Sequence, residues 1–307
     1  MKEIGGYFSF ELNKNYNIPD NAILLNSARN SLRYIIQSFD IKTIHIPFYT
    51  CPVVWNSIQK EDCLINYYHI DNNFMPIGDF NENDFILYTN YFGVCAKNVK
   101  ELAKNYKNLI VDNAQAFYMP KYGIASFNSV RKFFGTPDGS ILFSDKTIDK
   151  ELAQSVSYNK LIHLGKRIDL DASSGYSDFR TSEGTLVDAE IEKMSKLSVS
   201  LLENCNVDKA KEQRIENYSV LADKLDKTNE LHISLDIDDV PMVYPYLIKD
   251  DNLRNKLIQN KIYVATYWNP LPEEYQEYIF QKYLLPLPID QRYNQKDMNI
   301  ILDILLS

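Results

Sequence analysis

Short apolar runs alternate with helical patterns through the first half of the chain. Residues 44–48, 64–70, 84–92, 108–114, 123–127 and 140–144 are brief and rich in Ile, Val, Tyr and Phe. Runs of that length and composition predict buried strands. Between them the period changes. "ARNSLRYIIQSF" sets Leu32, Ile35, Ile36 and Phe39 on one helical face, and Ser27 stands where an N-cap belongs. "TCPVVWNSIQ" offers Thr50 as a cap and Pro52 in the first turn. "AKNVKELAKNY" gathers Val99, Leu102 and Ala103 on one side. Strand–helix–strand alternation predicts an α/β sheet, mainly parallel, with helices on both faces.

The second half reads differently. Residues 188–225 form long helical material with a break near Asn204–Asn206. Residues 242–248 and 262–268 read as strands, and 252–261 and 297–306 as helices. The expected organisation is a large domain over 1–205 and a smaller α+β domain over 206–307.

Composition narrows the function classes. A length of 307 residues, 45% hydrophobic and 24% charged, suits a globular protein with ample core. The net charge of −8 argues against a general binder of nucleic acid or anionic membrane. The four cysteines show no CxxC and no disulfide framework, and the four histidines lack metal-ligand spacing. No metal site is expected. With no signal-like start and no membrane-length apolar run, the expected location is the cytoplasm. GxGxxG and GxxxxGK[ST] are both absent, so nucleotide-cradling loops have no support.

In open parallel sheets, ligands gather at the carboxyl ends of strands. Asp112 follows "NLIV" directly, where a carboxylate needs a partner; it serves either as a helix cap or as a site acid. Gln115, three residues on, is either a packing amide or part of the same site. Lys132 follows another strand in "SFNSVRKFFGTPDGS", flanked by Arg131, Phe133 and Phe134. Desolvation by the aromatics and repulsion from Arg131 would lower its pKa and make it a nucleophile toward carbonyls. The plain alternative is a solvated surface charge. A strand-end acid with a downstream strand-end lysine suits pyridoxal phosphate, which needs a lysine for its aldehyde and a carboxylate for its ring nitrogen. "LNSARNSL", a strand-like run entering a Ser-capped helix, offers a site for its phosphate.

Taken in order, four stretches resemble the DegT/StrS nucleotide-sugar aminotransferases, which are fold-type I pyridoxal-phosphate enzymes. They are "NSARNSLRYII", "IPFYTCPVVWNSI", "IVDNAQAF" and "SFNSVRKFFGTPDGS". The resemblance implies a large domain with a mainly parallel central sheet and a smaller C-terminal domain. It implies that Lys132 holds the cofactor and shuttles the proton, that Asp112 pairs with the pyridine nitrogen and that Gln115 contacts the ring or its phenolic oxygen. Arg29 and Asn30, with Ser129 or Ser126, would hold the phosphate. Cys51 stands where the family has a flat residue against the ring. "IEKMS" (191–195) stands where the family reaches into a neighbouring subunit's site, with Lys193 in place of an arginine.

The implied activity is transfer of an amino group, from glutamate, to a nucleotide-linked keto sugar for surface polysaccharide or related glycan synthesis. The implied assembly is a homodimer with shared active sites. Two other readings stand beside it. One is a different pyridoxal-phosphate reaction, such as dehydration or an amino-acid transformation. The other is a non-catalytic member that keeps the fold.

Overall fold

The computed structural model describes residues 4–268 and 270–307. Chain order begins with β1 (Ile23–Leu25), α1 (Ala28–Phe39), β2 (Thr43–Pro47), α2 (Pro52–Gln59), β3 (Leu64–Ile70), β4 (Pro76–Ile77) and β5 (Phe85–Thr89). It continues through α3 (Ala96–Asn105), β6 (Leu109–Asn113), β7 (Ala125–Asn128) and β8 (Ser140–Ser144). After these come α4 (Ile162–Asp169), α5 (Tyr176–Thr185), α6 (Lys196–Asn204), α7 (Val207–Leu225), β9 (Val243–Leu247) and α8 (Leu253–Gln259). The last elements are α9 (Tyr278–Tyr283), β10 (Leu284–Pro288) and α10 (Gln295–Leu306).

The first eight strands form one sheet in the order β1-β8-β7-β6-β5-β2-β3-β4. The pairs β3–β2, β2–β5, β5–β6 and β6–β7 are parallel, and β8, β1 and β4 join antiparallel. The expected α/β sheet is therefore present. The chain builds outward from β2 to β3, then returns to add β5, β6 and β7 on the other side. That reversal opens a crevice at the carboxyl ends of the strands.

Side chains alternate across the sheet, so each face has its own core. Ile44, Ile46, Leu87, Ile110, Ala125 and Phe127 meet Leu32, Ile35 and Ile36 of α1 and Val54 and Ile58 of α2. On the opposite face Ile86, Tyr88, Leu109 and Val111 meet Val99 and Leu102 of α3. That core continues into the C-terminal half through Leu221, Tyr244, Leu285 and Leu302. β9 and β10 pair antiparallel in a separate two-stranded sheet.

Several expectations need correction. Thr50 does not cap α2. The N-cap is Cys51, which makes no side-chain cap bond, with Pro52 as the first helical residue. Residues 188–195 are not helical. Lys193 and Met194 run beside β1 instead, with Met194 N–H donating to Leu24 O at 3.0 Å and Lys193 N–H to Ala153 O at 2.8 Å. Residues 262–268 do not form a strand, because β10 takes the position beside β9. The helices α4 and α5 were not anticipated.

One turn holds the lysine loop to its neighbours. Gly139 lies at φ +129°, a conformation that side chains rarely adopt, and a Cβ there would stand 2.6 Å from Met194 Cε. Its N–H donates to Asn26 O at 2.9 Å and its carbonyl accepts from Val130 N–H at 3.2 Å. Gly139→Ala should cost about 1–3 kcal/mol of stability. Urea titration checks this: the midpoint falls while the slope is unchanged.

Candidate active site

Three segments meet at the crevice, and each is there for a local reason. Ser27 ends the β1–α1 connection and caps α1, its hydroxyl accepting from Asn30 N–H at 3.2 Å. This is the capping that the sequence predicts. β6 ends in Asp112 and Asn113, and β7 in Asn128, after which a single 3-10 turn over Val130–Lys132 carries the lysine. The register sets Asp112 beside Thr89 of β5 on one side and Phe127 of β7 on the other.

Asp112 is 6% exposed, and one carboxylate oxygen accepts from Ala114 N–H at 2.8 Å. Burial raises its pKa; the charge of Lys132 and the Ala114 N–H oppose the rise without cancelling it. Asp112 shares the strand parity of Ile110, so it faces the α1–α2 side of the sheet.

Gln115 is 1% exposed and divided in role. Its carbonyl oxygen accepts from Phe92 N–H at 2.8 Å, which supports a left-handed turn at Phe92 (φ 57°). Its amide nitrogen is buried with no acceptor among the described residues. An orphaned buried donor is costly, and it marks a place where an acceptor belongs.

Lys132 is exposed, whereas Phe133 and Phe134 are buried against Phe117 at ring distances of 5.7 and 5.0 Å. The two aromatics therefore do not desolvate the lysine as the sequence suggested. They turn into the core and present the lysine outward, at the mouth of the crevice and within electrostatic reach of Asp112.

The phosphate candidates separate. Arg29 lies in the first turn of α1 and is ion-paired with Glu183 at 3.4 Å; Arg131 holds the same carboxylate in a short hydrogen bond. Asn30 is turned away. Its amide nitrogen donates to Asn26 Oδ1 at 2.8 Å, Ala189 O at 3.2 Å and Glu190 O at 2.6 Å, so its donors are already engaged. Ser126 is buried in mid-strand beside Val111, on the face opposite Asp112. Ser129 stands half-buried just past the strand end. Of the four, Arg29 and Ser129 are brought toward the crevice; the Asn30 side chain and Ser126 are not.

Cys51 is half-buried at the start of α2. The structure brings Tyr267 near it, a residue that sequence reasoning missed as a site candidate. Burial, with Cys51 adding to it, lifts the Tyr267 hydroxyl to about 12. The Tyr267 ring lies 5.9 Å from Phe92. Glu183 was also missed, since it lies 154 residues from Arg29 in sequence and no motif marks it.

The donor set fits pyridoxal phosphate. A buried carboxylate awaits a cation, an orphaned amide awaits an acceptor, two arginines share one carboxylate near a capped helix start, and an exposed lysine lies within electrostatic reach of the acid.

Asp112 gives a pH test with a definite sign. A carboxyl with a higher pKa folded than unfolded weakens the fold as pH rises from its ordinary 3.8 through the raised value. Asp112→Asn should therefore raise the melting temperature of the cofactor-free protein at pH 7. The gain should shrink as pH falls toward 3.8, below which Asp112 is mainly protonated in both states. Paired melts at pH 3.5 and 7 measure it.

Among solved structures, the chain is similar to a DegT DnrJ EryC1 StrS aminotransferase from Brucella abortus, with 13% identity, 93% of this chain and 85% of that one covered, and a TM-score of 0.61. It is similar to Helicobacter pylori PseC, an aminotransferase involved in the biosynthesis of pseudoaminic acid, with 15% identity, 93% and 85% covered, and a TM-score of 0.63. It is also similar to S. venezuelae DesV, with 15% identity, 92% and 83% covered, and a TM-score of 0.63. No family model and no curated protein matches the sequence. Identities this low carry architecture rather than chemistry: the chain has the α/β fold of the DegT/StrS aminotransferases.

Proposed function

We propose that the chain is a pyridoxal-phosphate-dependent aminotransferase. The observation that carries this reading is the convergence of buried Asp112, the unfilled amide of Gln115 and exposed Lys132 at the carboxyl ends of neighbouring strands. When bound, the cofactor supplies an aldehyde carbon that carries nitrogen and a ring that accepts electrons. The residues of this chain do the rest. Lys132 would hold the group through Nζ and, when its amine is free, would supply the base that carries the proton. Asp112 keeps the ring nitrogen protonated, its own burial cost offset by that cation. Gln115 donates to the phenolic oxygen while its carbonyl keeps the Phe92 turn in place. Arg29 and Ser129 receive the phosphate. Cys51 and Tyr267 border the ring.

The substrate pair is a nucleotide-linked keto sugar and glutamate, serving surface polysaccharide or related glycan synthesis. The sugar half of this reading is supported by a similar structure, DesI, solved in the presence of its TDP-sugar product (TM-score 0.64, 13% identity). We further propose two working units, 1–205 and 206–307. Support comes from the break between α6 and α7, where Asn206 caps the second helix by accepting from Lys209 N–H at 2.9 Å. The assembly is a homodimer with shared sites. It is supported by an extended N-terminal arm whose Ile4, Tyr7, Phe8 and Phe10 are 97%, 99%, 93% and 69% exposed. Apolar side chains so bare mark a surface that a partner covers.

Borohydride treatment after loading should fix one cofactor adduct, which peptide mass mapping should place on Lys132. Lys132→Ala should lose the adduct and lower amino transfer from glutamate by about 10^3-fold or more. An adduct on another lysine, or none at all, refutes the reading.

A further inference from the structure

The α4–α5 hairpin delivers one carboxylate into the cation pair beside Lys132. Glu183 near the end of α5 accepts from both Arg29 and Arg131. Burial pushes its carboxyl upward, but the two guanidinium groups outweigh this and hold its pKa below the usual range. It is therefore an anion at neutral pH. The pairing still leaves donors unused. Among the described residues, Arg29 Nε, Arg131 Nε and the hydroxyl of Ser182 are buried without a partner. Ser182 is 4% exposed and immediately precedes Glu183. A planar carboxylate with two oxygens does not fill this set.

The two helices themselves bury little. α4 buries no side chain and α5 only Ser182, while Ile162, Ile168, Leu170 and Tyr176 are exposed. Lys166 pairs with Asp178, but that pair lies within the hairpin. The Glu183 clamp, together with buried Leu186 at the helix end, thus ties α5 to the body of the protein.

Charge decides what happens when a phosphate arrives. Two guanidinium groups balance a dianion. With Glu183 still in place, the same site would carry a net negative charge, half-buried and costly. A tetrahedral anion also offers the acceptors that the orphaned Nε–H groups lack, in the fork geometry that arginine prefers. We propose that Glu183 is a resident stand-in for the phosphate, expelled together with the end of α5 when phosphate enters between Arg29 and Arg131. This rests on the pyridoxal-phosphate reading for its physiological ligand. The stand-in keeps two like charges ordered in the free protein, and it lowers affinity because phosphate must displace it.

Glu183→Gln separates the possibilities. The variant should bind pyridoxal phosphate about tenfold more tightly, the scale of one charge-assisted hydrogen bond released. Its affinity for pyridoxal, which lacks the phosphate, should be unchanged. Equal or weaker binding of pyridoxal phosphate by the folded variant overturns the proposal. A second measurement needs no substitution. Amide exchange over 176–185 in the unaltered protein should speed up on saturation with inorganic phosphate; unchanged or slower exchange overturns it. The phosphate arm does not depend on Lys132. If no adduct forms on Lys132 yet phosphate still releases α5, the cofactor reading fails and this one stands.

Discussion

The lysine loop is held from behind by a buried carboxylate that pairs with no cation among the described residues. Asp138, at 0% exposure, accepts from the Ser195 hydroxyl at 2.8 Å and from Ser195 N–H at 3.3 Å, while its own N–H donates to Ser198 Oγ at 3.2 Å. Ser195 is also the N-cap of α6. One residue later, Gly139 binds Asn26, and Asn26 and Asn30 bind the carbonyl of Glu190. Three segments remote in sequence are thereby stitched by directional bonds: the start of α1, the loop bearing Lys132 and the strip leading to α6. Apolar packing alone would tolerate sliding between them. Hydrogen bonds to buried groups do not, because a lost partner leaves an unsatisfied atom.

The C-terminal half grips the same loop from another side. Arg214 of α7 is 1% exposed and lies 4.5 Å from the Phe133 ring, donating to Met242 O at 3.0 Å and Gln291 Oε1 at 3.0 Å. Gln291 in turn donates to Phe133 O at 2.7 Å. Burial lowers the Arg214 pKa to about 10, with Asp290 acting against the fall. The residue after Lys132 is thus fixed by a cation from one element and an amide from another. A displacement of α7 would reach the lysine directly.

Legibility followed locality. α1 and its Ser27 cap, β3 and β8 were read from sequence to the residue, because their signals lie within a dozen neighbours. That Asp112 lies at the end of β6 and Lys132 just past β7 was legible because the apolar runs that end there mark the strands. Glu183 was not, since its meaning lies wholly in Arg29 and Arg131, and α5 carries no strong apolar stripe. Asn30 misled for a related reason: an amide at a helix start suits an anion, but its partners at 189–190 arrive from far along the chain. The aromatics beside Lys132 were read as covering it, whereas the turn sends them inward and the lysine outward. Residues 262–268 look strand-like, yet β9 pairs with "LLPLP" (284–288). In a two-stranded sheet both strands are edges, so the prolines there cost little.

The unmet demands of this site all have one character. Asp112 is a buried acid with a backbone donor from Ala114 and an exposed lysine as counter-charge. Gln115 holds a donor with nothing to give it to, and two arginines share one carboxylate with donors to spare. Selection for stability alone would remove such groups, since each costs free energy while it stays unmatched. The three demands also differ in kind: an acid suits a ring nitrogen, an amide donor a phenolic oxygen and a cation pair a phosphate. On the proposed reading a single ligand satisfies all three at once, and the rearrangement required is the release of Glu183 with the end of α5. The instability of the empty site and the affinity of the filled one are then the same set of interactions, counted before and after binding.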